Sequence, residues 1–205
     1  MSLLPHLTFT PRSYLDEGSD SWPLMLFLHG AGERGGDLRK LRKYGPPRIV
    51  QSDPEFPFVV IAPQCPAGAY WQTAPLLALL DDAMDRFRID PTRVVVTGVS
   101  MGGYGTWMLA AAEPERFAAI APICGGGDPR AANRLKALPT WAFHGEEEAI
   151  VPISETLMMV DAIRALGSEP RLTTYPDVAH DSWEPAYATP ELYTWLLAQR
   201  AQTRH

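Results

Sequence analysis

Six runs of mainly apolar residues punctuate the chain, and each stops at a glycine, a proline or a polar residue. Residues 22–28 end in His29-Gly30, 58–62 in Pro63, and 94–97 in Gly98-Val99-Ser100. Residues 118–123 lead to Gly125-Gly126-Gly127, 140–143 to His144-Gly145, and 171–175 to Pro176. The runs are continuous rather than alternating, which predicts strands covered on both faces. Between them lie helical patterns: a short one over 37–50 broken by Gly45-Pro46-Pro47, then 73–87, 101–112, 154–166 and 190–199. Over 73–87 the stripe Leu76, Leu77, Leu80, Met84 and Phe87 faces a core, with Asp81, Asp82 and Asp85 toward water. Strands alternating with helices predict a parallel sheet wound on both faces, with ligands at the carboxyl ends of the strands.

Composition narrows the partners. At 205 residues, 46% hydrophobic and 20% charged, the chain reads as one ordinary globular domain over 1–205. A formal charge of −6 argues against nucleic acid or an anionic membrane, either of which needs a basic face. No apolar run approaches the roughly 20 residues of a membrane span. The first residues carry neither a basic stretch nor a sustained apolar one, so a cytoplasmic location is expected. Cys65 and Cys124 fit free thiols in a reducing compartment, with a single disulfide as the alternative. Five scattered histidines and no zinc-like spacing predict no metal site and no cofactor.

The chemistry concentrates at the ends of the runs. Gly98-Val99-Ser100-Met101-Gly102 joins a β-branched run to a helix-forming one, an order that lifts a serine hydroxyl above a helix N-terminus. Such a hydroxyl needs a base and the base an orienting acid, in the chain order serine, acid, histidine. His180, in the loop after the last strand, is the candidate base. Among Glu146-Glu147-Glu148 after the run 140–143, Glu148 is the candidate acid, with Asp128 as the alternative. Asp177 and Asp181 stand too near His180 in sequence to reach its Nδ1. His29 and His144, each before a glycine at a strand end, read as turn-shaping residues. The amides of Met101 and Ala31 are the expected oxyanion donors. The glycine-rich stretch 29–36 lacks the lysine and hydroxyl of a phosphate loop. Only 16 residues, 124–139, separate the fourth run from the fifth, which leaves no room for a helical cap.

With these elements in order, the chain resembles the α/β-hydrolase family over about 22–197. The segments 27–34, 62–66, 98–105, 120–127, 141–145 and 180–183 look like its small lidless esterases, akin to feruloyl and polyhydroxybutyrate-depolymerase-type enzymes. The resemblance implies an α/β-hydrolase fold without a cap domain and a serine carboxylesterase acting through Ser100, His180 and Glu148. Its substrate would be a small-molecule ester with a short or aromatic acyl group, stacking on Trp71, Tyr104 or Trp183. A serine peptidase and a non-catalytic binding protein are the alternatives. Two departures stand out. Glu148 occupies a place where the family usually has aspartate, and residues 1–21 leave space for one N-terminal strand, around 7–14. Residues 200–205 are expected to form a mobile tail.

Overall fold

The computed structural model describes residues 3–15 and 20–201. Seven strands form one sheet: β1 (His6–Phe9), β2 (Trp22–Leu28), β3 (Val59–Pro63), β4 (Ile89–Val99), β5 (Ala119–Ile123), β6 (Trp141–Gly145) and β7 (Arg171–Tyr175). Their spatial order is β1-β3-β2-β4-β5-β6-β7. β1 pairs antiparallel with β3, and every other pairing is parallel. From β2 the chain moves to β3 on one side, then crosses to β4 on the other. Connections leave β2 and β4 in opposite directions there, opening a crevice at their carboxyl ends.

The continuous apolar runs arise because β2, β3, β5, β6 and the second half of β4 are buried on both faces, while the edge strands β1 and β7 are only partly covered. Leu24, Leu26, Leu28, Val94, Val96 and Ile120 point into one core. It is closed by α2 (Thr73–Arg86), α3 (Met101–Ala112), α4 (Ala132–Leu135) and α5 (Ile153–Arg164). Met25, Phe27, Val60, Val95, Ala121 and Phe143 point into the other. That side is closed by α6 (Trp183–Tyr187) and α7 (Pro190–Ala198), with α1 (Pro46–Ile49) at its margin. In α2 the buried stripe is Leu76, Leu79, Leu80 and Ala83, while Leu77 and Met84 are half-buried at its border. The stripe is thus turned slightly from the expected one.

Other expectations shift more. The N-terminal strand ends at Phe9, and residues 12–15 make a 3-10 turn. Pro11 has no N–H with which to extend a ladder. The helix expected over 37–50 is a 3-10 turn at Leu38–Arg42 followed by the single turn of α1. Gly45, at φ +64°, breaks it. Of the expected tail, residues 202–205 lie outside the described residues, and Ala201 N–H donates to Thr92 O at 2.8 Å. Between β5 and β6 the chain makes only a 3-10 turn, Pro129–Ala131, and α4. No cap forms there, and the crevice stays open.

The start of α3 lies against β2 with no side chain between. A Cβ on Gly102 would sit 1.9 Å from Leu28 O, and one on Gly98 would sit 2.4 Å from Gly102 O. Both contacts are to backbone, which cannot swing aside. Gly102→Ala should therefore cost at least about 3 kcal/mol, at the upper end of overpacking penalties. Gly36→Ala, with nothing within 4 Å of the added carbon, should stay within about 0.5 kcal/mol of wild type. Urea unfolding of the two variants checks the contrast.

Candidate active site

Ser100 sits at φ 53°, ψ −116°, between β4 and α3. A non-glycine residue there stores on the order of 1–3 kcal/mol of strain, so the surroundings must impose it. They do so through the Gly98 and Gly102 contacts above and through Ser100 N–H, which donates to Ile123 O at 3.0 Å. Ser100 is half-buried, and its hydroxyl is bonded to no described residue. Met101 opens α3, where an N–H has no acceptor within its own helix.

Two loops meet beside this turn. At the end of β6, a Cβ on Gly145 would lie 2.2 Å from Val178 O and 2.4 Å from Ala179 O. Bare backbone here lets the loop after β7 pack directly on the loop after β6. Glu146 N–H donates to Tyr175 O at 2.9 Å and Glu147 N–H to Val178 O at 3.1 Å, which joins them further. Of the three glutamates, Glu146 accepts from the Thr174 hydroxyl at 2.6 Å. Glu148 turns inward, its side chain 0% exposed, and its Oε2 bonds His180 Nδ1. Its Oε1 accepts from the amides of Ile150 at 2.6 Å and Val151 at 3.1 Å. Burial pushes the Glu148 carboxyl up, but the bonds from His180 and the two amides outweigh it and hold the group below its usual range. Glu148 therefore stays a carboxylate. With Nδ1–H given to it, Nε2 of His180 is the nitrogen left for another partner.

Cys124 ties this pair to the serine turn. Ile123 accepts the Ser100 amide, and the next residue's Sγ lies 3.7 Å from His180 O. Ligand atoms of Cys124, Glu148 and His180 lie within 4.8 Å of one another, the donor set that could hold a soft metal ion. Glu148 and His180 already satisfy each other, and burial pushes the Cys124 thiol up to about 12, so it keeps its proton. Cys65 and Cys124 are both buried free thiols. Asp128 is not part of this cluster. It caps the 3-10 turn at Pro129–Ala131 and holds the Arg130 guanidinium at 2.8 Å. That corrects the alternative acid: its carboxylate is engaged on the surface.

The loop after β2 supplies the other amide. Ala31 opens a 3-10 turn, Ala31–Glu33, so its N–H, like that of Met101, lacks an acceptor in its own turn. His29, fully buried, accepts from Cys65 N–H at Nε2 (2.9 Å) and donates from Nδ1 to Gly30 O at 2.6 Å. Pinning that carbonyl orients the Gly30–Ala31 peptide. Gln64, also buried, donates to Glu33 O at 2.7 Å and Asp37 O at 2.9 Å. His144 contacts the Thr156 hydroxyl and Val151 O, both at 2.8 Å, and so braces the Glu148 turn. Both strand-end histidines are turn-shaping, as expected. Gln64, Glu33 and Tyr44 were not legible as site residues. They act by closing a fold around a loop, and no motif marks them.

A cavity of about 690 Å³ opens beside Ser100, lined by Trp71, Met101, Tyr104, Gly105, Trp107, Met108, Ala111, Gly127 and Met159 among others. Trp71 and Tyr104 are both in its wall. Trp71 Nε1 is anchored on His29 O at 3.2 Å. Burial pushes the Tyr104 hydroxyl up to about 12, with Glu155 adding to the shift. Trp183 is not among the lining residues. It packs edge-on against the His180 ring, centroids 5.2 Å apart, and against Tyr44, because α6 begins three residues after His180.

A mostly parallel sheet in this order, with its polar loops gathered at the carboxyl edge and no cap, is the α/β-hydrolase fold. Residues 46–198 match the Esterase family (described as "Putative esterase"), and the chain belongs to it, a family of hydrolases acting on esters. It is 28% identical over 193 residues to a poly(3-hydroxyoctanoate) depolymerase of Pseudomonas fluorescens, covering 78% of this chain and 68% of that protein. A solved thermostable esterase matches with TM-score 0.81 at 35% identity, over 96% of this chain but 59% of its own. A ferulic acid esterase matches with TM-score 0.69 at 16% identity, over 93% of this chain and 89% of its own. Among the described residues no helix is long and apolar enough to cross a membrane.

His29 gives a pH test. Burial, aided by Arg34 and opposed by the Gly30 carbonyl, holds its pKa at about 4 against 6.5 when exposed. The folded state thus prefers the neutral ring. Stability from this group is fully present above about pH 6.5 and is lost as pH falls toward 4, amounting to about 3 kcal/mol. Denaturant unfolding at steps between pH 7 and 4 should show that loss, and His29→Asn should flatten it.

Proposed function

We propose that this chain is a serine carboxylesterase working through an acyl-enzyme. Ser100 Oγ attacks the ester carbonyl while His180 Nε2 takes its proton, and Glu148 steadies the imidazolium through Nδ1. The amides of Ala31 and Met101 receive the oxyanion. His180 then protonates the departing alcohol, and water, deprotonated by the same nitrogen, releases the acid and restores Ser100. What supports this reading most is the Glu148–His180 pair, with one imidazole nitrogen to spare and tied through Ile123-Cys124 to the strained Ser100 turn.

The acyl group is apolar and aromatic in size rather than acetyl. Met101, Tyr104, Gly105, Met108 and Ala111 recur at helical spacing along the cavity wall, a span of about 15 Å at 1.5 Å per residue. Its 690 Å³ falls among cavities of about 300–1,000 Å³ that take ligands much larger than acetate. Ala111 keeps one end of the wall low, and Trp71 and Tyr104 offer ring faces.

A fluorophosphonate should add its mass at Ser100, and Ser100→Ala should lower kcat for p-nitrophenyl esters by about 10⁵-fold or more. Labelling at another residue, or turnover surviving in Ser100→Ala, ends the serine reading. Glu148→Gln should cost about 10⁴-fold in kcat, and Asp128→Asn about twofold at most. The opposite ranking would return the acid to the earlier loop.

For the acyl group, p-nitrophenyl 3-phenylpropionate should exceed the acetate in kcat/KM. Ala111→Trp should cut the former by about tenfold or more and spare the latter. An acetate preference that Ala111→Trp leaves unchanged would refute the aromatic assignment.

A further inference from the structure

Tyr44 stands between the two loops that this reaction uses, and it is not among the residues that line the cavity. Its hydroxyl donates to Glu33 Oε2 and accepts from Gly30 N–H at 3.1 Å. The Glu33 side chain is only 8% exposed, and its other oxygen lies 3.9 Å from Lys43 Nζ. Burial, together with the Glu33 carboxylate, pushes the Tyr44 hydroxyl far above its usual range, so it remains a donor. The direction of the chain of bonds is therefore fixed: Gly30 N–H to phenol oxygen, phenol hydrogen to carboxylate. A hydroxyl that gives its proton to a buried carboxylate is also the stronger acceptor. Gly30 is thus gripped at its N–H by Tyr44 and at its carbonyl by His29. Between those grips the Ala31 N–H has one direction left to point.

The ring of Tyr44 reaches the other loop. It lies 5.2 Å from the Trp183 ring, and Trp183 in turn meets His180 edge-on at 5.2 Å. Arg48, just after Tyr44, bonds both carboxylate oxygens of Glu184, just after Trp183, at 3.1 and 2.6 Å. Segments 44–48 and 183–184 are thereby locked together.

We infer that Tyr44, with Glu33, is a positioning residue that sets the Ala31 amide and the His180 imidazole in one frame, so that turnover depends on a hydroxyl outside the reacting groups. This rests on the serine-esterase reading, because it presumes that the Ala31 amide meets an oxyanion.

The test compares wild type with Tyr44→Phe, Glu33→Ala, Glu33→Gln and the double variant Tyr44→Phe/Glu33→Ala. Kinetics on p-nitrophenyl 3-phenylpropionate are paired with inhibition by phenylboronic acid, which forms a tetrahedral adduct on a serine. Tyr44→Phe should lower kcat about 10- to 100-fold, less than the 10²–10³ for losing a donor outright, with KM within about threefold. Boronate affinity should fall by a similar factor. Glu33→Ala should match it, and the double variant should be no worse than either alone. Glu33→Gln, which keeps an acceptor oxygen, should recover most of the rate.

A kcat within about twofold of wild type in folded Tyr44→Phe overturns the inference. So does a loss confined to KM, or additive losses in the double variant. If Tyr44→Phe does not fold, Glu33→Ala alone decides by the same criteria. Failure of the underlying reading looks different: wild type would not bind the boronate, and Ser100→Ala would still turn over.

Discussion

The first turn of α3 rests its bare backbone on the carbonyl of Leu28, and most of the site follows from that contact. Gly102 can come so close only because it has no side chain, and Gly98 must likewise clear the Gly102 carbonyl. The β4–α3 turn is forced tight, and Ser100 is carried into a conformation it would not choose. The same approach brings the end of β2, and with it His29 to Ala31, alongside the start of α3. Two helical turns then begin side by side at the switch point of the sheet. Each has a first N–H without an acceptor of its own.

The second half of the site is organised by a buried charge. A carboxylate without exposed surface is costly unless every oxygen is met, and Glu148 is met by two amides and an imidazole. The glutamate makes up its extra length by turning back onto the amides of its own loop. Its two amide bonds come from residues two and three positions later, so the loop folds around the charge it must hold. Gly145 lets the His180 loop lie directly on this one, so Glu148 and His180 share a backbone framework and do not depend on long flexible side chains to meet.

The cavity beside Ser100 is apolar because α3 is apolar on nearly every side, and its wall alternates large residues such as Tyr104 and Met108 with small ones such as Gly105 and Ala111. An open crevice and a wide trench go together with the short connection between β5 and β6. Nothing in that connection is long enough to cover the cavity.

The chain order of apolar runs and helices was enough to determine the sheet, its parallel winding and the residues at its carboxyl edge. Short continuous apolar runs bounded by glycine or proline suit strands buried on both faces. Ser100, Glu148 and His180 stood out as candidates for the same reason, since each lies in the loop or turn after a strand end. Only the tertiary structure showed that Glu148 bonds His180 while Asp128 is held by an arginine on the surface. It moved Trp183 from the cavity to the back of His180, and it brought Glu33, Gln64 and Tyr44 around the loop after β2. Those roles arise from contacts between distant segments. A pattern read along one dimension carries the periodicity of an element but not the identity of what packs against it.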